Sequence, residues 1–301
     1  MKKIIITLMV LLGVTNILVA QSKQALLIGI SDYGNPNKDA DKWTNINGTN
    51  DVELLAPKLT KQGFSVKTLK DSQATKSAII NSFNNLVKKS NKGDIIYIQF
   101  SMHGQPVEDL NGDEDDGWDE ALIPYDAQKK YQKGVYEGEN HLLDDELEIY
   151  FNQIRSKIGP QGKLYVIMDS CHSGSGSRSI KIIESEDEVV RGSNTGFSPN
   201  GKYFKADRSN NANDYFKVDK NPGMAPVSFL EACRAYEENR EIRDNNNVSF
   251  GRISYFIAEI MDKQDITADD SWMETVKEEV EKLNQGKSAS RKQHPVIERS
   301  N

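Results

Sequence analysis

Short apolar runs, separated by amphipathic stretches, are the feature of this 301-residue sequence that most constrains its fold. The strongest runs lie at 24–30, 94–100 and 164–168. Runs this short have the length of a strand, and strands that are apolar on both faces are typical of a parallel sheet covered by helices. We therefore predict buried parallel strands at these three positions.

The stretches between the apolar runs have helical spacing. Within 76–88, for example, Ile79, Phe83 and Leu86 fall on one face of a helix. The same reasoning predicts helices at about 51–62, 76–88, 144–158, 249–261 and 271–283, and further strands at 64–69, 227–233 and 295–297. Alternating strands and helices predict an α/β fold, with a mainly parallel sheet of about six strands flanked by helices in a single domain.

The start of the chain has the pattern of a secretory signal peptide. Lys2 and Lys3 precede an apolar run interrupted by polar residues, and the small Ala20 is followed by polar Gln21. A basic start, an apolar middle and a small residue at the end are typical of a cleavable leader. We expect removal of residues 1–20, a mature domain at 21–301 and a secreted or periplasmic protein. The alternative is an uncleaved membrane anchor.

Two further segments have compositions unlike a core. Residues 105–126 carry nine acidic side chains and no basic one, which predicts a solvated acidic loop that contributes nothing to the core. Residues from about 174 to 225 are rich in Ser, Asn, Gly and Lys. A stretch of that length without strong periodicity is usually functional or disordered. We interpret it as a mobile linker.

Charge and cysteine content narrow the class of protein. The formal charge is −7, and loss of Lys2 and Lys3 with the leader would make it two units more negative. That argues against nucleic acid as a partner.

Cys171 and Cys233 are the only cysteines, so the chain is no disulfide scaffold. Either they pair with each other or at least one is a working thiol, and we favour a buried free thiol for Cys233.

Two predicted strands end in reactive side chains. His103 follows the strand at 94–100, and Cys171 follows the strand at 164–168. If these strands are neighbours, both side chains lie at one edge of the sheet, where ligands of such sheets bind. An imidazole can activate a thiol and later protonate a leaving amine, which is the chemistry of acyl transfer. Backbone amides near Gly104 and Cys171 would form the oxyanion hole.

Several motifs together resemble a known family. They are Ala-Leu-Leu-Ile-Gly-Ile at 25–30 with Tyr33, Gly-Thr-Asn-Asp at 48–51, Ser-Met-His-Gly at 101–104 followed by Asp-Gly-Trp-Asp-Glu at 116–120, and Asp-Ser-Cys-His-Ser-Gly at 169–174. This set resembles the caspase-like cysteine peptidases (peptidase C14), and it is closer to metacaspases and their bacterial relatives than to animal caspases. The Gln-Ala-Cys signature of caspases is absent, since Asp169 and Ser170 precede the cysteine. The resemblance covers roughly residues 24–175 and implies the caspase-like fold.

The resemblance also implies roles for particular residues. His103 and Cys171 correspond to the catalytic dyad. Asp51 and Asp169, helped by Ser101, correspond to the pocket for the residue before the cleaved bond. Acidic side chains there would select Arg or Lys, because they accept charge-assisted hydrogen bonds. From the residues alone, Asp51 is equally well interpreted as a helix cap.

Some metacaspases need calcium, and the resemblance places its ligands at Asp119, Asp144 and Asp145. Arg178 stands where a further acidic ligand is expected, so the sequence departs from the pattern there. We expect no cofactor for the chemistry itself, with Ca²⁺ as a candidate stimulating ion.

Together these patterns predict a secreted cysteine endopeptidase that cleaves after Arg or Lys. Its partners are expected to be protein or peptide substrates, not nucleic acid, and not a membrane once the leader is lost. We expect the protein to be a monomer.

We also expect self-cleavage in the linker, after one of Arg178, Lys181, Arg191 and Lys202. The alternative for the linker is a disordered insertion. The alternatives for function are a catalytically silent, calcium-responsive binding module of the same fold, and a legumain-like or gingipain-like peptidase.

Overall fold

The structure is a computed structural model that describes residues 21–300 except 36–38, 40, 113, 115, 172–188, 194, 205–220 and 235. Its strands are β1 (Lys23–Gly29), β2 (Phe64–Lys70), β3 (Ile95–Ser101), β4 (Gly104–Glu108), β5 (Trp118–Leu122), β6 (Leu142–Leu143), β7 (Lys163–Asp169), β8 (Val227–Glu231), β9 (Glu241–Arg243), β10 (Ser249–Gly251) and β11 (Val296–Arg299). Its α-helices are α1 (Gly48–Lys61), α2 (Lys76–Lys89), α3 (Asp144–Ile158), α4 (Arg252–Met261) and α5 (Ser271–Lys282). The predicted signal peptide at 1–20 lies outside the described residues.

A six-stranded sheet forms the centre of the molecule. Its order is β11-β8-β7-β3-β1-β2, and all pairs are parallel except the edge pair of β11 with β8. The predicted α/β fold with a mainly parallel sheet of about six strands is therefore confirmed. The predicted neighbours β3 and β7 lie side by side, and β8, which precedes Cys233, lies next to β7.

Helices cover both faces of this sheet because successive residues of a strand point to opposite sides. Leu26 and Ile28 pack with residues of α2 and α3, whereas Ala25 and Leu27 pack with residues of α1, α4 and α5. Each strand is thus buried on both faces, which explains the continuous apolar runs in the sequence. Among the described residues, no helix is long and apolar enough to cross a membrane.

Two helix starts differ from the sequence-based prediction. Helix α1 begins at Gly48, so Asp51 lies inside its first turn and is fully buried rather than at the cap. The alternative interpretation of Asp51 as a helix cap is therefore wrong. Helix α4 begins at Arg252, because Ser249–Gly251 pair with β9 as a short antiparallel hairpin before the helix starts.

The prediction of a core-free acidic loop at 105–126 is wrong in part. Strands β4 and β5 form an antiparallel pair there, and β6 extends it to three strands. Trp118, Leu122 and Ile123 are buried. Acidic residues dominate the turn between β4 and β5. Because they are so numerous, the composition of 105–126 predicted a loop and did not indicate the strands on either side of the turn.

The predicted mobile linker is also corrected where the structure describes it. In the described part of this segment, Arg191, Ser193 and Phe197 are buried against the rest of the protein, whereas residues 200–203 are exposed. Val190 pairs with Arg240 and Phe197 pairs with Val107 in isolated bridges. The other parts of that segment, 172–188 and 205–220, lie outside the described residues.

Candidate active site

The parallel register brings the ends of three central strands to one edge of the sheet. Ser101, the last residue of β3, is level with Gly29 of β1 and with Asp169 of β7. His103 and Cys171 each follow two residues beyond this level, and both are almost completely buried. The predicted reactive residues therefore share one edge because their strands are adjacent and in register.

The His103 ring has a defined orientation and a defined tautomer. Its Nε2 lies 2.8 Å from the carbonyl oxygen of Thr44. A carbonyl can only accept, so Nε2 carries the proton and Nδ1 presents its lone pair. Trp43 stacks on the ring at a centroid distance of 4.9 Å, and Tyr33 packs against it at 5.1 Å. These contacts hold the imidazole ready to take a proton at Nδ1.

Burial lowers the pKa of His103 to about 4, because the charged ring is poorly solvated inside the protein. The Thr44 carbonyl opposes this shift, while Lys129 and Arg191 add to it. The imidazole is consequently neutral at pH 7, and its Nδ1 lone pair is free of a proton. Nδ1 is buried and has no hydrogen-bond partner in the part of the chain that the structure describes.

The thiol of Cys171 donates its hydrogen bond to a backbone carbonyl. Its Sγ donates to the carbonyl oxygen of Glu237 at 2.7 Å, and the Sγ of Cys233 lies 3.5 Å from the same oxygen. Neither cysteine is in a disulfide, and both are buried. A hydrogen bond to Cys171, followed by burial, raises the pKa of Cys233, so this second thiol stays protonated. His103 and Cys171 thus lie at the same edge of the sheet, and no hydrogen bond joins their side chains among the described residues; their role as a catalytic dyad stays a prediction.

A pocket of three carboxylates lies beside the dyad and is filled by Arg191 from the linker segment. Asp51 Oδ2 and Asp169 Oδ1 lie 2.5 and 3.3 Å from Nη1 of Arg191, and Glu241 Oε1 lies 3.0 Å from its Nε. The Arg191 side chain is 0 % exposed. Asp51 and Asp169 share Nη1, and Glu241 lies at Nε, so three buried carboxylates compensate the charge of one guanidinium. Such a set of acids favours a basic side chain.

The electrostatics of this pocket favour a cation. Burial, and then the negative charge of Asp169, raise the pKa of Asp51 to about 6, although Arg191 opposes the shift. Burial alone would lower the pKa of Arg191, but Asp51, Asp169 and Glu241 outweigh it and hold that pKa above its ordinary value. Without a cation, the three carboxylates would repel one another in a site that excludes water.

Each carboxylate is fixed by donors from the surrounding elements. Asp51 Oδ1 accepts from the backbone N–H of Gly251 at 2.9 Å. Asp169 accepts from Asn239 Nδ2 at 2.8 Å and from the N–H of Ser254 at 3.0 Å. Glu241 accepts from the N–H of Asn47 at 2.8 Å. These bonds hold the acids in place, so the pocket is preorganised.

The remaining predicted site residues lie nearby in different roles. Ser101 is buried at the end of β3, where its hydroxyl accepts from Gln99 at 3.3 Å, and no hydrogen bond joins it to Arg191 among the described residues. Gly104 begins β4, and its carbonyl oxygen accepts from the N–H of Ser193 at 3.1 Å. Gly104 therefore borders the segment that runs past Cys171, and its part in an oxyanion hole stays a prediction.

Comparison with known proteins agrees with this geometry. Residues 23–178, just over half of the chain, match the family model described as the metacaspase, peptidase C14 domain. The chain belongs to the metacaspase family. The matched range contains both members of the dyad and two of the three pocket carboxylates, so the resemblance drawn from the motifs is confirmed for a family of caspase-like cysteine peptidases.

Fungal metacaspases are among the relatives. The chain is 30 % identical over 225 residues to metacaspase-1B of Aspergillus fumigatus, which covers 73 % of this chain and 50 % of that protein. It is 29 % identical over 234 residues to metacaspase-1A of Neurospora crassa, covering 73 % of this chain and 47 % of that protein. The chain thus spans about half the length of these relatives.

A solved structure shows the same fold. The crystal structure of protein GSU0716 from Geobacter sulfurreducens has a TM-score of 0.59 and 20 % sequence identity, with 93 % of each chain covered. At that identity the likeness concerns the fold alone. It supports the arrangement of sheet and helices that places the metacaspase dyad at the strand ends.

The residues predicted to bind calcium are only partly brought together. Asp119 on β5 and Asp145 are both close enough to Asp144, at the start of α3, for their charges to interact with it, and Asp145 also accepts from Asn111 Nδ2 at 3.3 Å. One oxygen of Asp144 is buried without a hydrogen-bond partner. Within the described residues, no group of three His, Cys, Asp or Glu side chains is arranged to hold a metal. Asp119, Asp144 and Asp145 therefore interact through their charges, and calcium binding by them stays a prediction.

Sequence reasoning missed several residues of this metacaspase site. Glu241 completes the pocket, Asn239 orients Asp169, and the carbonyl groups of Thr44 and Glu237 hold His103 and Cys171. None of them belongs to the motifs that carried the resemblance. Backbone carbonyls have no sequence signal, and Glu241 lies more than sixty residues after the matched range in a charged stretch with no distinguishing pattern.

Proposed function

We propose that this chain is a cysteine endopeptidase that cleaves peptide bonds after Arg or Lys. The observation that carries the proposal is the Arg191 side chain among Asp51, Asp169 and Glu241, beside the buried Cys171. A substrate arginine would satisfy the same three carboxylates. An acidic residue would add a fourth negative charge to a pocket without water, so cleavage after Asp is disfavoured.

The chemistry follows from the orientation of the dyad. Rotation of the Cys171 thiol from the Glu237 carbonyl toward Nδ1 of His103 lets the imidazole take the thiol proton. The thiolate then attacks the backbone carbonyl carbon of the bound Arg or Lys. The C–N bond breaks as His103 returns the proton to the leaving amine, which leaves a thioester on Cys171. Water, deprotonated by His103, hydrolyses the thioester and restores the thiol.

The direct test uses matched fluorogenic peptides that end in Arg, Lys or Asp, with the full mature chain and its Cys171→Ala variant. We expect turnover of the Arg and Lys reporters, none of the Asp reporter, and none of any by Cys171→Ala. Equal turnover of all three reporters would contradict the proposed pocket. A complete lack of turnover would favour the silent binding module instead.

We further propose self-processing at the bond between Arg191 and Gly192. Arg191 occupies the pocket, and Gly192 pairs with Cys171 in an isolated bridge, so that bond lies at the nucleophile. Lys202 is directed elsewhere, since its ammonium donates to the carbonyl of Gly117 and lies over the Trp118 ring. Arg178 and Lys181 lie outside the described residues. Purified Cys171→Ala should stay intact, and clipping of that variant at Arg191 in pure form would refute self-processing.

Calcium stimulation is part of the proposal and rests on Asp119 and Asp144. The buried, unpartnered oxygen of Asp144 and the adjacent charge of Asp119 would gain from a bound cation. Titration calorimetry of Cys171→Ala with Ca²⁺, beside Asp144→Asn in the same background, measures binding without activity. We expect heat of binding that is lost in Asp144→Asn; the same heat in both proteins would refute this site.

The proposed location is outside the cytoplasm, on the strength of the leader-like pattern at 1–20. Expression of the full sequence in a bacterial host, followed by fractionation and N-terminal sequencing, tests it. We expect a periplasmic or secreted protein that begins at Gln21. Cytoplasmic protein that retains Met1 or Lys2 would contradict the proposal.

A further inference from the structure

Residues 189–193 of the linker lie along the candidate active site in the manner of an added strand, with backbone bonds on both sides of the Arg191–Gly192 bond. Before the cleavage point, the N–H of Arg191 donates to Asn239 O at 3.0 Å, and Val189 O accepts from Glu241 N at 3.1 Å. After it, Ser193 N donates to Gly104 O at 3.1 Å. Main-chain bonds of this kind align a peptide whatever its side chains are. Selectivity must therefore come from positions where a side chain meets the protein.

Gly192, the residue after Arg191, is the first such position. A Cβ placed on it would lie 2.4 Å from the carbonyl oxygen of Cys171 and 3.0 Å from the Cys171 Cβ. The obstructing atoms belong to the backbone and Cβ of the nucleophile, which directly follows β7. They cannot move aside without displacing Cys171 itself. The position after the cleaved bond thus has room for glycine only.

Phe197, the sixth residue after Arg191, is the second position. Its ring is 2 % exposed and lies in a cage of three rings, with centroid distances of 4.4 Å to His141, 5.8 Å to Tyr131 and 5.8 Å to Tyr136. The backbone of Phe197 forms two hydrogen bonds with β4. Its N–H donates to Pro106 O at 2.8 Å, and its carbonyl oxygen accepts from Glu108 N at 2.9 Å. The cage is a built pocket for an aromatic side chain.

From these two contacts we propose that the site selects its substrates on the leaving side of the bond. The preferred substrate has glycine directly after the cleaved Arg and an aromatic residue six positions after it, as the linker has in Gly192 and Phe197. This selectivity rests on the proposed peptidase function and adds to it a substrate class, Arg–Gly bonds followed by a docked aromatic residue. The cage of Tyr131, Tyr136 and His141 is the subsite that binds the aromatic residue.

The test uses internally quenched peptides with the sequence of residues 187–199. One set replaces the residue at Gly192 by Ala or Leu, and another replaces Phe197 by Leu or Ala. We expect kcat/KM to fall at least roughly tenfold for Ala at Gly192 and further for Leu. At the Phe197 position we expect the order Phe, Leu, Ala, with a loss of about tenfold or more for Ala. The linker of the enzyme competes with every peptide alike, so ratios between peptides are unaffected.

A short Arg reporter with no residues after the cleaved bond is assayed in parallel and separates the two levels of the proposal. If the enzyme cleaves this reporter but turns over all the long peptides at rates within about twofold, the leaving-side selectivity is refuted while the peptidase function stands. If neither the reporter nor the parent peptide is cleaved, the peptidase function fails and the selectivity with it.

Within the chain, Phe197→Ala is compared with Tyr203→Ala. Tyr203 is an aromatic residue of the same segment, but it is 75 % exposed. We expect slower appearance of the cut at Arg191 in Phe197→Ala and an unchanged rate in Tyr203→Ala. An equal rate in the two variants would overturn the role of the cage.

Discussion

At the scale of single residues, Arg191 links the pocket to the linker. It is the cation that compensates three buried carboxylates, so its removal leaves them without a partner. Such uncompensated buried charge is strongly destabilising unless water enters or the acids take up protons. The state of the linker segment should therefore depend on this one side chain.

In the Cys171→Ala background, which keeps the linker uncut and serves as the parent chain, we predict that Arg191→Ala releases residues 189–193 and makes stability more sensitive to pH. Arg191 lowers the pKa of Asp51, which is nevertheless raised to about 6, so without Arg191 that pKa rises further. A carboxyl whose pKa is raised by folding costs stability as pH increases through the interval between its unfolded and folded values. The variant should thus unfold at a lower temperature than the parent chain, and the difference between their midpoints of thermal unfolding should grow as the pH rises from 5 to 8.

Hydrogen exchange provides the second measurement for this prediction. The amides of residues 191 and 193, which donate to Asn239 and Gly104, should lose protection in Arg191→Ala. Lys202→Ala is the control, since Lys202 is a linker cation outside the pocket. Unchanged protection at residues 191 and 193 in Arg191→Ala would mean that main-chain bonds alone hold the segment.

Glu241 is the pocket residue that the motifs did not reveal, and its contribution can be measured. We predict that Glu241→Gln raises KM for an Arg reporter by roughly tenfold, because a charge-assisted bond to the guanidinium becomes a neutral one. The control is Glu238→Gln, since Glu238 pairs with Arg240 rather than with Arg191. A KM that changes equally in both variants would show a general charge effect instead of a pocket contact.

The site residues that the sequence predicted differ from those it did not predict in the local sequence signal that they carry. His103, Cys171, Asp51 and Asp169 stand in or beside strand ends and carry recognisable motifs, so the sequence predicted them. Glu241 and Asn239 reach the site from a segment whose path depends on tertiary packing of β9 against α1 and α4. Nothing local in their sequence distinguishes them from solvent-exposed polar residues.

At the scale of elements, the strands and helices follow from periodicity, while the β4–β5 pair does not. The strands of the main sheet are apolar on both faces, and that signal is strong. Strands β4 and β5 flank an acidic turn and contain Pro106, Glu108, Asp119 and Glu120, so charge hid the alternation. The pairing of β4 with β5 and its packing against the core stabilise them in spite of this composition.

The start of helix α3 places an acidic side chain where two effects oppose each other. A carboxylate in the first turn is favoured by the helix dipole. Burial and the charge of Asp119 outweigh that benefit and raise the pKa of Asp144 to about 7. Above that pH, the ionised Asp144 costs stability, because folding keeps it protonated over an interval in which the unfolded chain has released its proton.

We therefore predict that Asp144→Asn stabilises the calcium-free protein at pH 8. The gain should be about 1–3 kcal/mol at pH 8 and should shrink as pH falls toward 4, where the unfolded-state carboxyl also protonates. Chemical denaturation at both pH values in the presence of a chelator measures it. Asp145→Asn should give a smaller gain, because the charge of Asp145 is a lesser cause of the raised pKa of Asp144. If Asp144→Asn destabilises the protein equally at both pH values, a lost hydrogen bond outweighs the electrostatic gain.

At the scale of the whole molecule, the sheet order determines what a cut in the linker can do. The segment before Arg191 contributes β1, β2, β3 and β7, and the segment after it contributes β8 and β11. Strand β8 pairs with β7 along five residue pairs, from Leu164 with Val227 to Met168 with Glu231. Helices α4 and α5 of the second segment cover one face of the strands from the first.

We predict that cleavage at Arg191 leaves one folded particle made of two fragments. The interface between them is part of the buried core, including Tyr165 and Ile167 against Trp272 and Ile257, so separating the fragments would require unfolding. Neither cysteine is in a disulfide, so a reducing agent should not separate them. The cut chain should elute from size-exclusion chromatography with the uncut Cys171→Ala protein, and only denaturant should release two fragments. Separation of the fragments in native buffer would contradict this prediction. It would mean that the core depends on the intact linker, and that cleavage at Arg191 empties the carboxylate pocket but also destroys the candidate active site.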